Sequence, residues 1–171
     1  MPPKLRGKWA LGITPRNFTW ILKDKLAICE RPGGYGDNHR RVRRQEEIIW
    51  IRENGFDYAI SIIQAPHNLH NYDELNLPYR HRPFRGDDRD RWLKAFYTEL
   101  DDLLRHGNKL LVHGEELGDR LVGVMGGYIR WSGLVDNNTK AIEVTERLTS
   151  RKLDPWARDV IMTAEMLRGT D

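Results

Sequence analysis

Lys109-Leu110-Leu111-Val112-His113 leads through Gly114-Glu115-Glu116-Leu117-Gly118-Asp119-Arg120 into an apolar stretch from Leu121 to Trp131. No other part of the chain restricts the fold as tightly. The first run is short, apolar and ends on a polar residue, the pattern of a strand buried on both faces. The second is too long for a strand and reads as a buried helix. A strand, a tight loop and the amide end of a helix make a concave set of N–H donors, a ready cradle for an anion. Arg120 stands at the start of that helix and adds a guanidinium suited to a carboxylate, phosphate or sulfate.

The remaining segments fit one α/β domain. Asn17 to Leu22 and Lys25 to Glu30 read as strands around the turn Lys23-Asp24, with Trp20, Ile21 and Leu22 supplying β-favouring bulk. Arg31-Pro32-Gly33-Gly34-Tyr35-Gly36 is a turn-rich loop. Residues 40–54 form a helix that Gly55 stops, and Tyr58 to Ile63 is a buried strand. Gln64 to Leu77 is expected as a long loop, followed by an edge strand at 79–84. Asp88 to Arg105 is an amphipathic helix with Trp92, Phe96, Leu100, Leu103 and Leu104 on one face. Asp136 to Thr149 is a further helix, and Asp154-Pro155 opens the last with Asp at N-cap and Pro at N1. The expected architecture is a single domain, a central, mostly parallel sheet flanked by helices, over residues 9–171, behind a flexible basic tail at 1–8.

Composition removes several function classes. With 39% hydrophobic and 31% charged residues the chain has an ordinary globular balance, and no apolar run reaches the ~18 residues of a membrane span. Cys29 is the only cysteine, so an intramolecular disulfide is impossible; with no secretory pattern at Met1 to Lys8, a cytoplasmic location is expected. The net charge of +3 is too small for a dedicated nucleic-acid binder. The densest basic run, His39-Arg40-Arg41-Val42-Arg43-Arg44, reads first as a solvated helix turn, then as an anion-facing rim, and last as a nucleic-acid contact.

The order and spacing of several motifs resemble the small atypical dual-specificity phosphatases of the protein tyrosine phosphatase superfamily, over roughly Trp9 to Leu167. Asn17-Phe18-Thr19-Trp20 with Lys25-Leu26-Ala27 resembles the family's opening strands, and Arg31-Pro32 the loop after them. Ser61-Ile62-Ile63 resembles its serine-led strand, and His81-Arg82-Pro83-Phe84 the approach to its general-acid loop. Val112-His113, Arg120 and Tyr128 match the signature region, which in the family reads His-Cys, five residues, Arg.

The resemblance implies a phosphatase-like fold, and the departures imply lost chemistry. Gly114 stands where the family has its nucleophilic thiol, Phe84 follows Pro83 where the family has its aspartate, and Leu121 follows Arg120 in place of Ser or Thr. Leu117 stands where a glycine is usual, and Gly118 comes one place late. Glu115, Glu116 and Asp119 add negative charge; at ~4 Å and an effective dielectric of ~20, each would repel a unit charge on a ligand by ~4 kcal/mol. The expectation is therefore a catalytically inactive, phosphatase-like domain that binds an anionic or phosphorylated small molecule or a protein partner. Its ligand-binding candidates are His113, Gly114, Gly118, Asp119, Arg120, Arg31, Arg85 and Tyr35. The alternative is a repurposed enzyme in which Glu115, Glu116, Asp87 or Asp88 handle protons or attack. No cofactor is implied.

Weaker constellations have bland readings beside them. His67, His70 and Asp73 have the ligand types that could start a metal site but lack a fourth ligand, so no metal is assigned. Cys29 reads as a small buried residue, and as a substitute nucleophile only if the Arg31 loop folds over the Arg120 cradle. Arg120 has an ion pair with an acid such as Glu115 as its structural reading. Gly123, Gly126 and Gly127 imply close approach of another helix. Trp92 and Trp131 read as core, and Tyr35 as a ligand contact in a glycine loop.

Overall fold

A computed structural model describes residues 11–168; the tail expected at 1–8 lies outside them. The α/β expectation holds. Five strands form one sheet in the order β1 (Thr19–Leu22), β2 (Leu26–Cys29), β5 (Leu110–His113), β3 (Tyr58–Ser61), β4 (Tyr79–His81). All neighbours are parallel except β1 against β2. The run read as most buried, β5, takes the central position, with all four residues buried. Six α-helices accompany the sheet among the described residues: α1 (Arg41–Glu53), α2 (His70–Glu74), α3 (Arg89–Arg105), α4 (Asp119–Trp131), α5 (Asn138–Thr149) and α6 (Pro155–Arg168). None is long and apolar enough to cross a membrane.

The internal contacts gather into two compact units, one of residues 11–83 with 107–117, the other of 84–106 with 118–168. In the first, strand register sets the packing. Ala27, Leu111 and Ala59 stand abreast across three strands, and Cys29, His113 and Ser61 form the next row on the same face. Ala27, Cys29, Leu111 and Ala59 pack with Ile48 and Ile51 of α1 and with Phe56, Tyr72 and Leu77. Helix α1 ends in a Schellman motif, in which Phe56 N–H donates to Ile51 O (3.4 Å) and Gly55 N–H to Arg52 O (3.1 Å).

The segment expected as an open loop from Gln64 to Leu77 carries the short helix α2. Asn68 and Asn76 flank it in left-handed backbone (φ 61° and 57°), and Tyr72 and Leu77 are anchored in the core. At five residues α2 has too few turns to show an apolar period.

The second unit is built around α4, whose residues from Leu121 to Arg130 are all buried. A Cβ on Gly123 would press against Ala157 of α6, one on Gly126 against Ile161 and Thr145, and one on Gly127 would coincide with the Tyr97 hydroxyl. The glycines thus allow close helix approach, as their spacing implied. The apolar face of α3 is displaced from expectation. Leu93 and Tyr97 are buried beside Phe96, Leu100 and Leu103, whereas Trp92 and Leu104 are half-buried. The cause is Tyr97, whose hydroxyl donates to Val124 O in the middle of α4 (2.7 Å). Asp154 caps α6 by accepting from Ala157 N–H (2.8 Å), with Pro155 at N1 as expected.

Candidate functional site

The segment following β5 starts from a fixed histidine. His113 is buried; its Nδ1 is 3.2 Å from Gly114 O and its Nε2 is 2.8 Å from the Tyr72 hydroxyl. A carbonyl only accepts, so Nδ1 carries the proton, Nε2 must accept, and Tyr72 donates. The ring is neutral. Burial lowers its pKa from 6.5 to about 4, with Arg31 and His81 acting in the same direction and the Gly114 bond opposing. Burial likewise pushes the Tyr72 phenol well up, so it remains a donor. His113 therefore fixes the course of the chain at Gly114, which is itself buried.

The next residues continue along β2. Beyond the Cys29–His113 pair, Arg31 N–H donates to Glu115 O (3.2 Å), and the Arg31 guanidinium meets the Glu115 carboxylate at 3.3 Å. Glu115 is thus the partner of Arg31. Glu116 accepts a hydrogen bond from the Tyr35 phenol, and its negative charge is the main cause of a raised Tyr35 pKa. Both glutamates are exposed.

The glycine loop that carries Arg31 and Tyr35 is fastened from beneath. Gly33 N–H donates to the buried Glu47 carboxylate (3.0 Å), which also takes Arg43 Nε at 2.6 Å. Burial raises the Glu47 pKa, and these two donors oppose the rise. Gly33 needs its lack of a side chain: φ is +90° and a Cβ would sit 2.6 Å from Arg44 Cβ.

The second unit supplies the other sequence candidates. Gly118 is the N-cap of α4 and accepts from Val122 N–H (3.0 Å). Asp119, in the first turn, pairs with Arg151 at 2.8 Å. Arg120 is exposed and has no ion pair or hydrogen bond among the described residues; its guanidinium lies 4.8 Å above the Phe84 ring. Phe84 is buried against Trp92 (4.9 Å) and Trp156 (5.9 Å). Arg85, Asp87 and Asp88 are exposed, Asp88 lying 3.9 Å from Arg91. Glu115 and Glu116 therefore sit on separate partners, and Asp87 and Asp88 stand at the head of α3 in the other unit.

One other sequence reading changes. The basic run is not a solvated turn: Arg43 and Arg44 turn inward, Arg43 to Glu47 and Arg44 to His39 (Nη1–Nε2 2.9 Å), leaving Arg40 and Arg41 exposed. His67, His70 and Asp73 do not gather into a metal-ligating group among the described residues. Trp131 packs on Tyr97 and Tyr128, and Trp92 on Phe84 and Phe96, so both are spent on packing. Sequence reasoning missed Tyr72, Arg44 as a buried group, and Arg151. No local signal marks Tyr72 or Arg151, which find their partners 41 and 32 positions away.

No protein-family model matches the chain, and no curated protein does. Solved structures do. The chain is similar to a kinase-associated phosphatase whose catalytic cysteine is replaced by serine (TM-score 0.76, 16% identity, 92% of this chain and 98% of that one). It is also similar to the core catalytic domain of a PP-IP phosphatase from S. cerevisiae in complex with citrate (TM-score 0.63, 14% identity, 90% and 88%). A third likeness is to a human tyrosine phosphatase-like serine/threonine/tyrosine-interacting protein (0.61, 15%, 88% and 96%). The fold is that of the dual-specificity phosphatases. At these identities the likeness is one of phosphatase-like architecture. Within that architecture the chain's only cysteine, Cys29, is fully buried in β2, and burial, then Glu47 and Glu30, push its thiol pKa well up.

Proposed function

We propose that this phosphatase-fold chain performs no thiolate chemistry and instead binds an anionic or phosphorylated ligand, carried by a small molecule or a protein partner. One observation carries the reading: the chain's only thiol is sealed inside the sheet, while the buried position after His113 is Gly114. Attack on phosphorus requires an accessible thiolate, and burial disfavours that charged form of Cys29. Phe84, buried among aromatic rings, follows Pro83 where the resemblance calls for an acid.

Binding is better supported than the sequence alone suggested. Two of the three acids expected to repel an anion are compensated, Glu115 by Arg31 and Asp119 by Arg151. Arg120 has no acid of its own and can grip an anion bidentately. One similar structure was solved with citrate, an anion. The carboxylate-enzyme alternative has less support, because Glu115, Glu116, Asp87 and Asp88 are all open to solvent.

Titration with inorganic phosphate and a phosphotyrosine peptide, followed by tryptophan fluorescence, tests the reading. Native protein should bind saturably, and Arg120→Ala should weaken binding roughly 10- to 100-fold. Equal affinity in both proteins would contradict it.

A further inference from the structure

Residues 31–40 form a strap against the first turns of α1. Its own backbone closes it: Gly34 N–H donates to Arg31 O (2.9 Å), Asn38 N–H to Tyr35 O (3.2 Å), His39 N–H to Gly36 O (3.2 Å) and Arg40 N–H to Gly33 O (2.8 Å). Two hydrogen bonds to α1 side chains tie it down. Gly33 N–H donates to Glu47, and His39 Nε2 lies 2.9 Å from Arg44 Nη1. A guanidinium nitrogen only donates, so His39 must accept through Nε2 and keep its proton on Nδ1. The bond therefore requires a neutral ring. A protonated imidazole has no acceptor left and would face the guanidinium cation across the same 2.9 Å.

The surroundings leave that cation no relief. The space beside the ring is filled: a Cβ on Gly33 would lie 3.1 Å from His39 Nε2 and 2.6 Å from Arg44 Cβ. The charged groups acting on His39 are Arg31 of the strap, Arg43 and Arg44 of α1, and Glu115 beyond β5. The nearby acids are already engaged, Glu115 by Arg31, Glu47 by Gly33 N–H and Arg43, and Glu30 by Asn17. Burial, then Arg31, Arg44 and Arg43, hold the His39 pKa below the usual 6.5, and Glu115 opposes them.

We propose that His39 is an acid-released latch: when its ring takes a proton, the bond to Arg44 breaks and the strap carrying Arg31 and Tyr35 loosens from α1. A released, solvated ring takes that proton near pH 6.5, and the latched ring only at lower pH. The latch therefore holds fully above about pH 6.5 and weakens as pH falls toward the lower value of the folded ring. One proton gained on opening raises the opening equilibrium by up to about tenfold per pH unit. Glu47, the other tie, has the opposite sign because burial raises its pKa, so release by acid belongs to His39. The latch does not depend on an anion binding at Arg120.

Amide hydrogen exchange followed by NMR tests the latch. Protection of Asn38, His39 and Arg40, corrected for the intrinsic pH dependence of exchange, should fall about 5- to 25-fold from pH 7 to pH 5 in native protein. His39→Gln keeps an acceptor for Arg44 but takes no proton, and its strap should lose that dependence. The proposal is overturned if native protection stays constant over this range. It is equally overturned if His39→Gln shows the same fall, which would assign the effect to another group. Should the variant fail to fold or leave the strap open at every pH, the native ring decides. Its titration by carbon-13 NMR should have a midpoint below pH 6.5, and a midpoint at or above 6.5 would overturn the latch.

Discussion

The neutral state of His113 makes stability depend on pH in a way that can be worked through. An exposed imidazole in the unfolded chain takes a proton near pH 6.5, whereas the buried ring resists it until about pH 4. Between those values the unfolded state binds the extra proton. The contribution of His113 is therefore complete above about pH 6.5 and is lost as pH falls toward about 4. A gap of about 2.5 pH units at 1.36 kcal/mol each gives about 3 kcal/mol. Other groups titrate in the same range, the buried Glu47 with the opposite sign, so the measurement is a difference. Urea unfolding of native and His113→Asn protein should be followed from pH 4.5 to 7.5. The stability of the native protein relative to the variant should rise by about 2 to 3 kcal/mol over that interval. A difference constant within about 0.5 kcal/mol would show that folding leaves the proton affinity of the ring unchanged, and the neutral, buried assignment through Tyr72 and Gly114 would be wrong.

Three further outcomes are expected. Gly127→Ala should destabilise the protein by about 2 to 4 kcal/mol despite the better helix former, because the new methyl displaces the Tyr97 hydroxyl from Val124 O; unchanged urea midpoints would refute the close approach. Cys29 should react with a thiol reagent roughly a thousandfold more slowly in native protein than in urea, and equal rates would show an accessible thiol. Arg151→Ala should cost at most about 1 kcal/mol of stability, since its pair with Asp119 is half-exposed, yet weaken phosphate binding at low salt by exposing the Asp119 charge; undiminished binding would remove that pair from the site.

Much of the fold was legible because its strongest signals are local. The run Leu110 to Val112 has no polar position and lies at the centre of the sheet; the Asp154-Pro155 pair starts α6 where its chemistry requires. The three glycines of α4 announced a close neighbour without saying which. What was not legible depended on distant partners. Arg43 and Arg44 looked like solvated charge because a run of arginines normally is; the ions that draw Arg43 inward are Glu30 and Glu47, and only the second lies at a helical spacing. The charge balance of the loop was misjudged for the same reason, since Arg31 and Arg151 meet Glu115 and Asp119 from 84 and 32 positions away. The slip on α3, from Trp92 to Leu93 and Tyr97, arose because one buried hydroxyl decides the rotation of the helix and hydrophobicity alone does not encode it.

Whether phosphorus is ever bonded to this protein can be read directly. Native and Arg120→Ala protein would be incubated with an aryl phosphate, product release recorded, and the quenched native chain weighed by mass spectrometry. The account predicts no turnover above the level of the variant and no added phosphate. Turnover that vanishes with Arg120→Ala, together with a phosphate adduct on any side chain, would contradict it.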